Sequence, residues 1–166
     1  MKNYLFALLI FFTATALAQT DTRIYDIIQK VSAKNIEADI TTLANFGTRN
    51  TFSDTLSSTR GIGAARRWIK AQFDQISLNC EECLEVFYQK DLVKAASSNR
   101  VPRDTWVVNV VAIQKSKTGS NEYIIMSGDI DSRNSDGSDF IKDAPGANDN
   151  ASGMAGAMAG PFRTVF

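Results

Sequence analysis

The chain contains no histidine and has little cysteine and proline, with two cysteines and three prolines among its 166 residues. Without histidine, the two cysteines cannot form a self-contained zinc finger, because such a site needs four Cys or His ligands. Internal repeats and low-complexity linkers are also absent. The 18 basic residues balance the 18 acidic ones, so no excess positive charge attracts nucleic acid or an anionic membrane. Length and composition indicate one globular domain.

The N-terminus has the pattern of a signal peptide over residues 1–18. A lysine at position 2 precedes an apolar run over residues 4–12, and the small residues Ala16 and Ala18 follow. The apolar run is shorter than the roughly 20 residues that a membrane-spanning helix needs. We therefore expect cleavage after Ala18, a secreted or periplasmic location and no membrane attachment of the mature chain.

The only two cysteines lie close together as Cys80-Glu-Glu-Cys83. In an exported chain, this spacing makes the pair a candidate for a local disulfide. A redox Cys-x-x-Cys role is the alternative, but the βαβ pattern that usually surrounds such a motif is missing.

Apolar spacing predicts helices in the first half of the chain. Apolar positions recur at helical spacing between a predicted helix cap at Asp21 or Thr22 and a predicted stop at Gly47, as one long helix or two abutting ones. Residues 47–58 are rich in Ser, Thr, Asn and Asp and are expected to form a loop that connects rather than packs. A second amphipathic helix is predicted over residues 59–76. Its buried stripe is Ile62, Ala65, Ile69, Phe73 and Ile76, and its water-facing cations are Arg66, Arg67 and Lys70.

Strand patterns follow in the second half of the chain. Residues 84–88 and 105–113 are rich in β-branched and aromatic side chains, and residues 123–126 are apolar without alternation, as in a central strand covered on both faces. A helix of small residues is predicted from Ala151 until Gly160-Pro161. The expected fold is α/β, with a mixed central sheet of about three strands flanked by helices. Asp129 and Asp131 would lie at the carboxyl end of the central strand, where ligands bind in such sheets.

Six aspartates between positions 129 and 149 indicate a cation site, since their mutual repulsion is relieved by bound cations. The spacing does not match a calcium-binding EF-hand, because Asn134 stands where glycine is needed and Phe140 where glutamate is needed. A solvated acidic loop is the alternative interpretation. The six residues are Asp129, Asp131, Asp136, Asp139, Asp143 and Asp149.

Four motifs of the chain belong together: Ile124-Ile-Met-Ser-Gly-Asp-Ile-Asp-Ser-Arg133, Asp143-Ala-Pro-Gly-Ala-Asn-Asp-Asn-Ala-Ser-Gly153, Leu43-Ala-Asn-Phe-Gly-Thr-Arg49 and Gly61-Ile-Gly-Ala-Ala-Arg-Arg-Trp-Ile69. In combination they resemble metallopeptidase family twenty-eight, the bacterial leucyl-aminopeptidase-like di-zinc exopeptidases. The resemblance covers roughly residues 36–158 and corresponds to the N-terminal part of the family's domain. It implies a zinc-peptidase-like fold in which two zinc ions activate a water. That water would hydrolyse N-terminal peptide bonds of peptide or protein substrates with a free N-terminus.

The resemblance also implies roles for individual residues. Asp149 matches the carboxylate that bridges both zinc ions, and the Pro145-Gly146 turn presents it. Asp131 matches the aspartate that orients the first metal ligand through a hydrogen bond. Asp129 stands where many members have a histidine ligand, so it is a candidate metal ligand that adds negative charge to the site.

The family pattern ends after Met158. The family's general-base glutamate and its remaining ligands would follow downstream, and Ala159 stands near a position that is usually acidic. We therefore expect residues 19–166 to be the N-terminal part of a zinc-dependent peptidase domain, truncated and with little or no activity of its own. A non-catalytic exported α/β module is the alternative, with an acidic loop that weakly binds a divalent cation or a partner. A phosphatase-like metal site is a third reading, but the chain has no glycine loop that would cradle phosphate.

Overall fold

The computed structural model describes residues 21–159, so the predicted signal peptide and residues 160–166 lie outside the described part. The described residues divide into two compact units, residues 21–31 and residues 32–159. In the first unit, helix α1 (Thr22–Lys30) begins at the predicted cap, where the Asp21 carboxylate accepts a hydrogen bond from the Arg23 amide at 3.0 Å. None of the helices in the described residues is both long enough and apolar enough to span a membrane.

In the second unit, helix α2 (Ala33–Asn45) starts at Ser32, whose hydroxyl accepts a hydrogen bond from the Asn35 amide. Thus the first apolar pattern forms two separate helices, α1 and α2, the second of the two predicted arrangements. Gly47 follows α2 with a φ of 72°, a left-handed conformation that glycine adopts without steric cost. The chain therefore turns sharply at Gly47, as predicted.

The loop after Gly47 packs against the protein, so the prediction that it only connects was wrong. Thr48, Arg49, Asn50 and Ser53 are buried. The Ser53 hydroxyl accepts a hydrogen bond from the Ile62 amide at 2.9 Å and donates one to the Asn50 carbonyl at 2.6 Å. The loop's polar groups are buried because they satisfy backbone groups of the loop and of the next helix.

Helix α3 (Gly61–Asn79) buries the predicted apolar stripe. The prediction that Arg66 faces water was wrong, because only 8% of this residue is exposed. Arg66 lies four residues after Ile62 and three before Ile69, so helical periodicity places it on the buried stripe despite its charge. Its long aliphatic stem allows the residue to pack there.

Strands β1 (Leu84–Val93) and β2 (Thr105–Gln114) pair antiparallel, with a register from Leu84 opposite Gln114 to Val93 opposite Thr105. This confirms the first two predicted strands. One face of the hairpin packs on α3 through residues such as Val86 and Val110. A Cys80–Cys83 disulfide, with 5.5 Å between the Cα atoms, lies at the turn between α3 and β1.

The predicted third strand does not form. Residues 123–126 have no strand pairing, and Ile124 and Ile125 are 96% and 86% exposed. The sheet of the described residues therefore has two strands, and Asp129 and Asp131 follow an unpaired segment. An apolar run becomes a central strand only where neighbours bond both of its edges and other elements cover both faces. Among the described residues, no strand pairs with this segment, and its isoleucines are left exposed.

A tight turn over Ala147–Ala151 leads into helix α4 (Ser152–Ala159), which is the predicted helix of small residues. Its small side chains allow close packing, so Met154, Ala155, Met158 and Ala159 are buried. Leu43 of α2, Ile69 of α3 and Met158 of α4 belong to one hydrophobic core. Helices packed with a small sheet confirm the α/β class.

Candidate functional site

Arg49 connects the loops that carry the predicted site residues. Only 1% of it is exposed, and its guanidinium donates hydrogen bonds to four carbonyl oxygens on three segments of the chain. The acceptors are Leu43 O at 2.7 Å, Ile130 O at 2.9 Å, Pro145 O at 2.6 Å and Gly146 O at 3.0 Å. A guanidinium has five donors in a rigid plane, so one side chain can fix several backbone segments at once.

The Arg49 backbone adds to this connection. Its amide donates to the Ser132 hydroxyl at 3.0 Å, and the Ser132 amide donates back to the Arg49 carbonyl at 3.3 Å. The Ser132 hydroxyl in turn donates to the Ala144 carbonyl at 2.6 Å. Thr48 and Ala144 form a parallel β-bridge beside these bonds. The loops around residues 49, 132 and 144 are therefore held in one fixed arrangement.

The predicted Pro145-Gly146 turn lies directly before the Asp149 loop. Gly146 has a φ of 50°, and a Cβ atom added to it would lie 2.5 Å from the Asp149 carbonyl and 2.6 Å from the Ser132 Cβ atom. The Gly146 carbonyl accepts a hydrogen bond from the Ala151 amide at 3.1 Å, which closes the loop around Asp149. Only glycine fits this position, since both the conformation and the space exclude a side chain. The Asp149 side chain itself is exposed.

The Asp129 loop approaches the same helix end. A Cβ atom added to Gly128 would lie 2.6 Å from the Met154 Cα atom, so the backbone before Asp129 touches the first turn of α4. The Asn150 side chain caps that turn, accepting a hydrogen bond from the Gly153 amide at 2.9 Å. Asp129 and Asp149 therefore sit on backbone segments that both contact the start of α4.

Asp131 lies near two buried arginines. It accepts a hydrogen bond from the Thr51 hydroxyl at 3.4 Å. Burial lowers the pKa of Arg49, and the charge of Asp131 partly opposes this shift. Burial also lowers the pKa of Arg66, opposed by Tyr88 and then by Asp131. In this structure Asp131 thus compensates buried positive charge.

Three other aspartates of the acidic segment have local roles. Asp136 accepts hydrogen bonds from the Ser138 amide and hydroxyl, and Asp139 accepts bonds from the amides of residues 141 and 142. These bonds lower the pKa of both carboxyls. Asp143 pairs with Arg60 at 2.6 Å. The density of acidic residues therefore arises partly from turn formation and one ion pair.

The described residues do not form a complete zinc site. Across residues 21–159, no three His, Cys, Asp or Glu side chains come together to hold a metal ion. Both cysteines are used in the disulfide. A catalytic zinc ion takes three protein ligands, so Asp149 and Asp129 could supply only part of the donor set for two ions. Their role as metal ligands, and that of Asp131 behind them, stays a prediction.

Two buried arginines were not among the predicted site residues. Arg49 lies two residues after Gly47, which ends α2, so the sequence did place a cation where the chain turns back on the core. Arg66 occupies a helical position whose neighbours on the stripe are all apolar. In both cases the position in the sequence indicated burial. The residue type indicated exposure instead, because arginine usually lies at the protein surface.

Comparison with known proteins supports the motif-based recognition. Residues 109–160 match the model of peptidase family M28. This matched region contains the Asp129, Asp131 and Asp149 loops and all of α4. The resemblance to metallopeptidase family twenty-eight, over a part of the family's domain, is thereby confirmed.

The relatives cover more of the chain. A protein of Leptosphaeria maculans named a probable zinc metalloprotease is 43% identical over 138 residues, which are 83% of this chain and 32% of that protein. A probable zinc metalloprotease of Pyrenophora teres f. teres is 41% identical over 138 residues, or 83% of this chain and 28% of that protein. The chain thus spans about a third or less of these relatives. No solved structure matches it significantly.

Proposed function

We propose that the complete protein is an exported, zinc-dependent aminopeptidase, and that this chain supplies the framework of its first metal-binding loops. The supporting observation is the convergence of three loops on Arg49 and α4, because these loops carry Asp129, Asp131 and Asp149. The relatives' names support zinc and peptide-bond hydrolysis. Cleavage of N-terminal bonds with a free amino terminus follows from the family resemblance of the motifs.

We further propose that the 166-residue chain does not hydrolyse peptides by itself. Its last glutamate is Glu122, so no glutamate follows the Asp149 loop to act as the general base that the family resemblance requires. The incomplete donor set within residues 21–159 supports the same proposal. This chain would therefore contribute a fold and candidate ligands, while the reaction needs residues beyond those described.

A chimaera tests the proposed function directly. In this chimaera, residues of this chain replace the 138-residue segment of the Leptosphaeria maculans relative that aligns with them. We expect the chimaera to release amino acids from aminoacyl p-nitroanilides, to lose this activity on zinc removal, and to leave N-acetylated substrates uncut.

Two variants of the chimaera serve as comparisons. Asp149→Asn should lower kcat/KM by at least about a hundredfold, because an amide replaces a carboxylate at the proposed metal position. Asp136→Asn, in a solvent-exposed turn of the same acidic segment, should leave activity nearly unchanged. A folded, zinc-binding but inactive chimaera would favour the alternative of a non-catalytic module, and cleavage of acetylated substrates would exclude an aminopeptidase.

Export is part of the proposal. The pattern of residues 1–18 supports it, and a Cys80–Cys83 disulfide suits an oxidising compartment. N-terminal sequencing of the protein recovered outside the cytoplasm should begin at Gln19. Retention of Met1 in an intracellular protein would contradict export.

A further inference from the structure

A pocket of about 530 Å³ lies between the loop after Gly47, helix α3 and the far end of the β-hairpin. Its walls include the apolar side chains Phe52, Trp106 and Val108 and the cations Arg66, Lys90 and Arg103. Thr51 also lines it, and the hydroxyl of Thr51 contacts Asp131 at 3.4 Å. The pocket therefore adjoins the candidate site without containing the predicted metal ligands.

The most informative residue of the pocket is Arg66. It is more than nine-tenths buried, and its Nε atom has no hydrogen-bond partner among the described residues. A buried donor without a partner is costly, and for a charged group the cost is larger than for a neutral one. Asp131 and Tyr88 moderate the charge of Arg66 electrostatically, but neither satisfies Nε. The Nε atom itself is almost fully enclosed, so a ligand reaches this unsatisfied donor only if the Arg66 side chain shifts toward the pocket.

Two other cations share the pocket. Lys90 lies 5.8 Å from the Tyr88 ring centroid, and Arg103 lies 5.9 Å from that of Phe52. Arg103 also donates one hydrogen bond to the Phe52 carbonyl, which holds its guanidinium in place. Since a guanidinium has five donors, Arg103 retains capacity for a ligand.

The single acid in the pocket wall is Asp104. Its carboxylate already accepts hydrogen bonds from the Lys94 ammonium at 2.7 Å and from the Ala95 amide at 2.8 Å. Lys94 thus largely neutralises it, and the pocket keeps an excess of positive charge. Asp104 still repels anions, and this repulsion grows with the charge of the ligand. The attraction by the three cations grows in the same way, so charge alone does not select a carboxylate over phosphate. Only a ligand with an apolar part also gains from the apolar wall of the pocket.

From this arrangement we propose that the pocket binds a carboxylate of a peptide ligand, with Arg66, Lys90 and Arg103 as its cationic contacts. The planar guanidinium matches the two oxygens of a carboxylate. Phe52, Trp106 and Val108 provide an apolar wall for the residue that carries the carboxylate. This proposal is independent of hydrolysis, because binding can occur without a metal or turnover.

The test follows the Arg66 Nε–H signal by NMR in the ¹⁵N-labelled mature chain, with the signal assigned by its loss in Arg66→Met. N-acetylphenylalanine presents a terminal carboxylate, and N-acetylaspartate amide presents a side-chain carboxylate. We expect a saturable shift with at least one of them, and the stronger binder identifies the source of the carboxylate. The neutral N-acetylphenylalanine amide and inorganic phosphate should bind at least about tenfold more weakly.

Variants separate specific binding from surface charge. Lys90→Gln removes an exposed cation of the pocket and should weaken the binding of the carboxylate probe about tenfold, without a change in thermal unfolding. Lys70→Gln is the control, because Lys70 lies outside the pocket on α3, the helix that carries Arg66, and pairs with Asp74 at 2.8 Å. Equal weakening by both variants, equal binding of the neutral amide, tighter binding of phosphate, or no saturable shift with either carboxylate would each overturn the proposal.

Discussion

At the scale of single residues, Arg49 connects the loops of the candidate site through four side-chain hydrogen bonds. Each of its four side-chain hydrogen bonds joins a charged donor to a backbone carbonyl, and such bonds are stronger than neutral ones. The acceptors belong to segments far apart in sequence. The Arg49 side chain therefore connects these segments where a β-sheet would connect them by backbone hydrogen bonds. The position of the Asp149 loop therefore depends on a residue that is not a predicted ligand.

Replacing Arg49 tests this role. Arg49→Met keeps the volume of the side chain but leaves four carbonyls without their donor, and it should lower the free energy of unfolding by at least about 3 kcal/mol. Urea denaturation of the mature chain measures the change. Arg67→Met is the matched control, since Arg67 also donates to loop carbonyls but from an exposed position. A loss below about 1 kcal/mol for Arg49→Met would contradict the role.

At the scale of elements, the loop before α3 acts as the cap of that helix. Arg60 at the cap position makes no capping bond with its side chain, and the Ser53 hydroxyl accepts the Ile62 amide instead. Ser53, nine residues before Ile62, thus makes the capping hydrogen bond that the cap residue usually makes. This explains why a polar loop is buried beside an apolar helix.

The Ser53 cap predicts a measurable loss of stability. Ser53→Ala removes the acceptor for the Ile62 amide and should destabilise the chain by about 1 kcal/mol. Thermal or urea unfolding gives the value, with Ser58→Ala, an exposed serine in the same loop, as the neutral reference. An equal effect of the two substitutions would mean that the cap contributes nothing.

Residues 123–126 should differ from β2 in the rate of amide hydrogen exchange. Because their backbone has no strand pairing, we expect their amides to exchange with deuterium much faster than those of Val108 and Val110 in the hairpin. Hydrogen exchange followed by mass spectrometry of overlapping peptides compares the two segments. Slow exchange across residues 123–126 would indicate that the strand predicted from the sequence does form in solution.

At the scale of the whole molecule, most helices and strands were predicted correctly, whereas the residues that join the loops of the candidate site were not. Periodicity identified the helices, and β-branched composition identified β1 and β2, since both patterns reflect local burial. The strand at residues 123–126 was predicted wrongly because its formation depends on neighbours that local composition does not specify. Arg49 and Arg66 were missed because charge usually indicates exposure. The motifs located the acidic loops, but the hydrogen bonds that join them span more than 80 residues.

Acid should lower the stability of the folded chain, because carboxylates in several loops accept hydrogen bonds that are lost on protonation. Hydrogen bonds lower the pKa of Asp54, Asp104, Asp136 and Asp139 below the ordinary value of 3.8. A carboxyl whose pKa is lower in the folded state stabilises the fold above its unfolded pKa, and this contribution is lost as pH falls through the folded pKa. The melting temperature should therefore fall as pH drops below about 4. Asp139→Asn should reduce this dependence, and an unchanged melting temperature down to about pH 2 would contradict it.

The described residues hold the loops of Asp129, Asp131 and Asp149 in place without forming a complete zinc site. Isothermal titration of the mature chain with zinc at neutral pH tests this most directly. We expect no binding of two ions per chain with a Kd below about 1 µM, because the necessary third ligands are not assembled among the described residues. Two zinc ions bound with that affinity, and lost in Asp149→Asn, would contradict it.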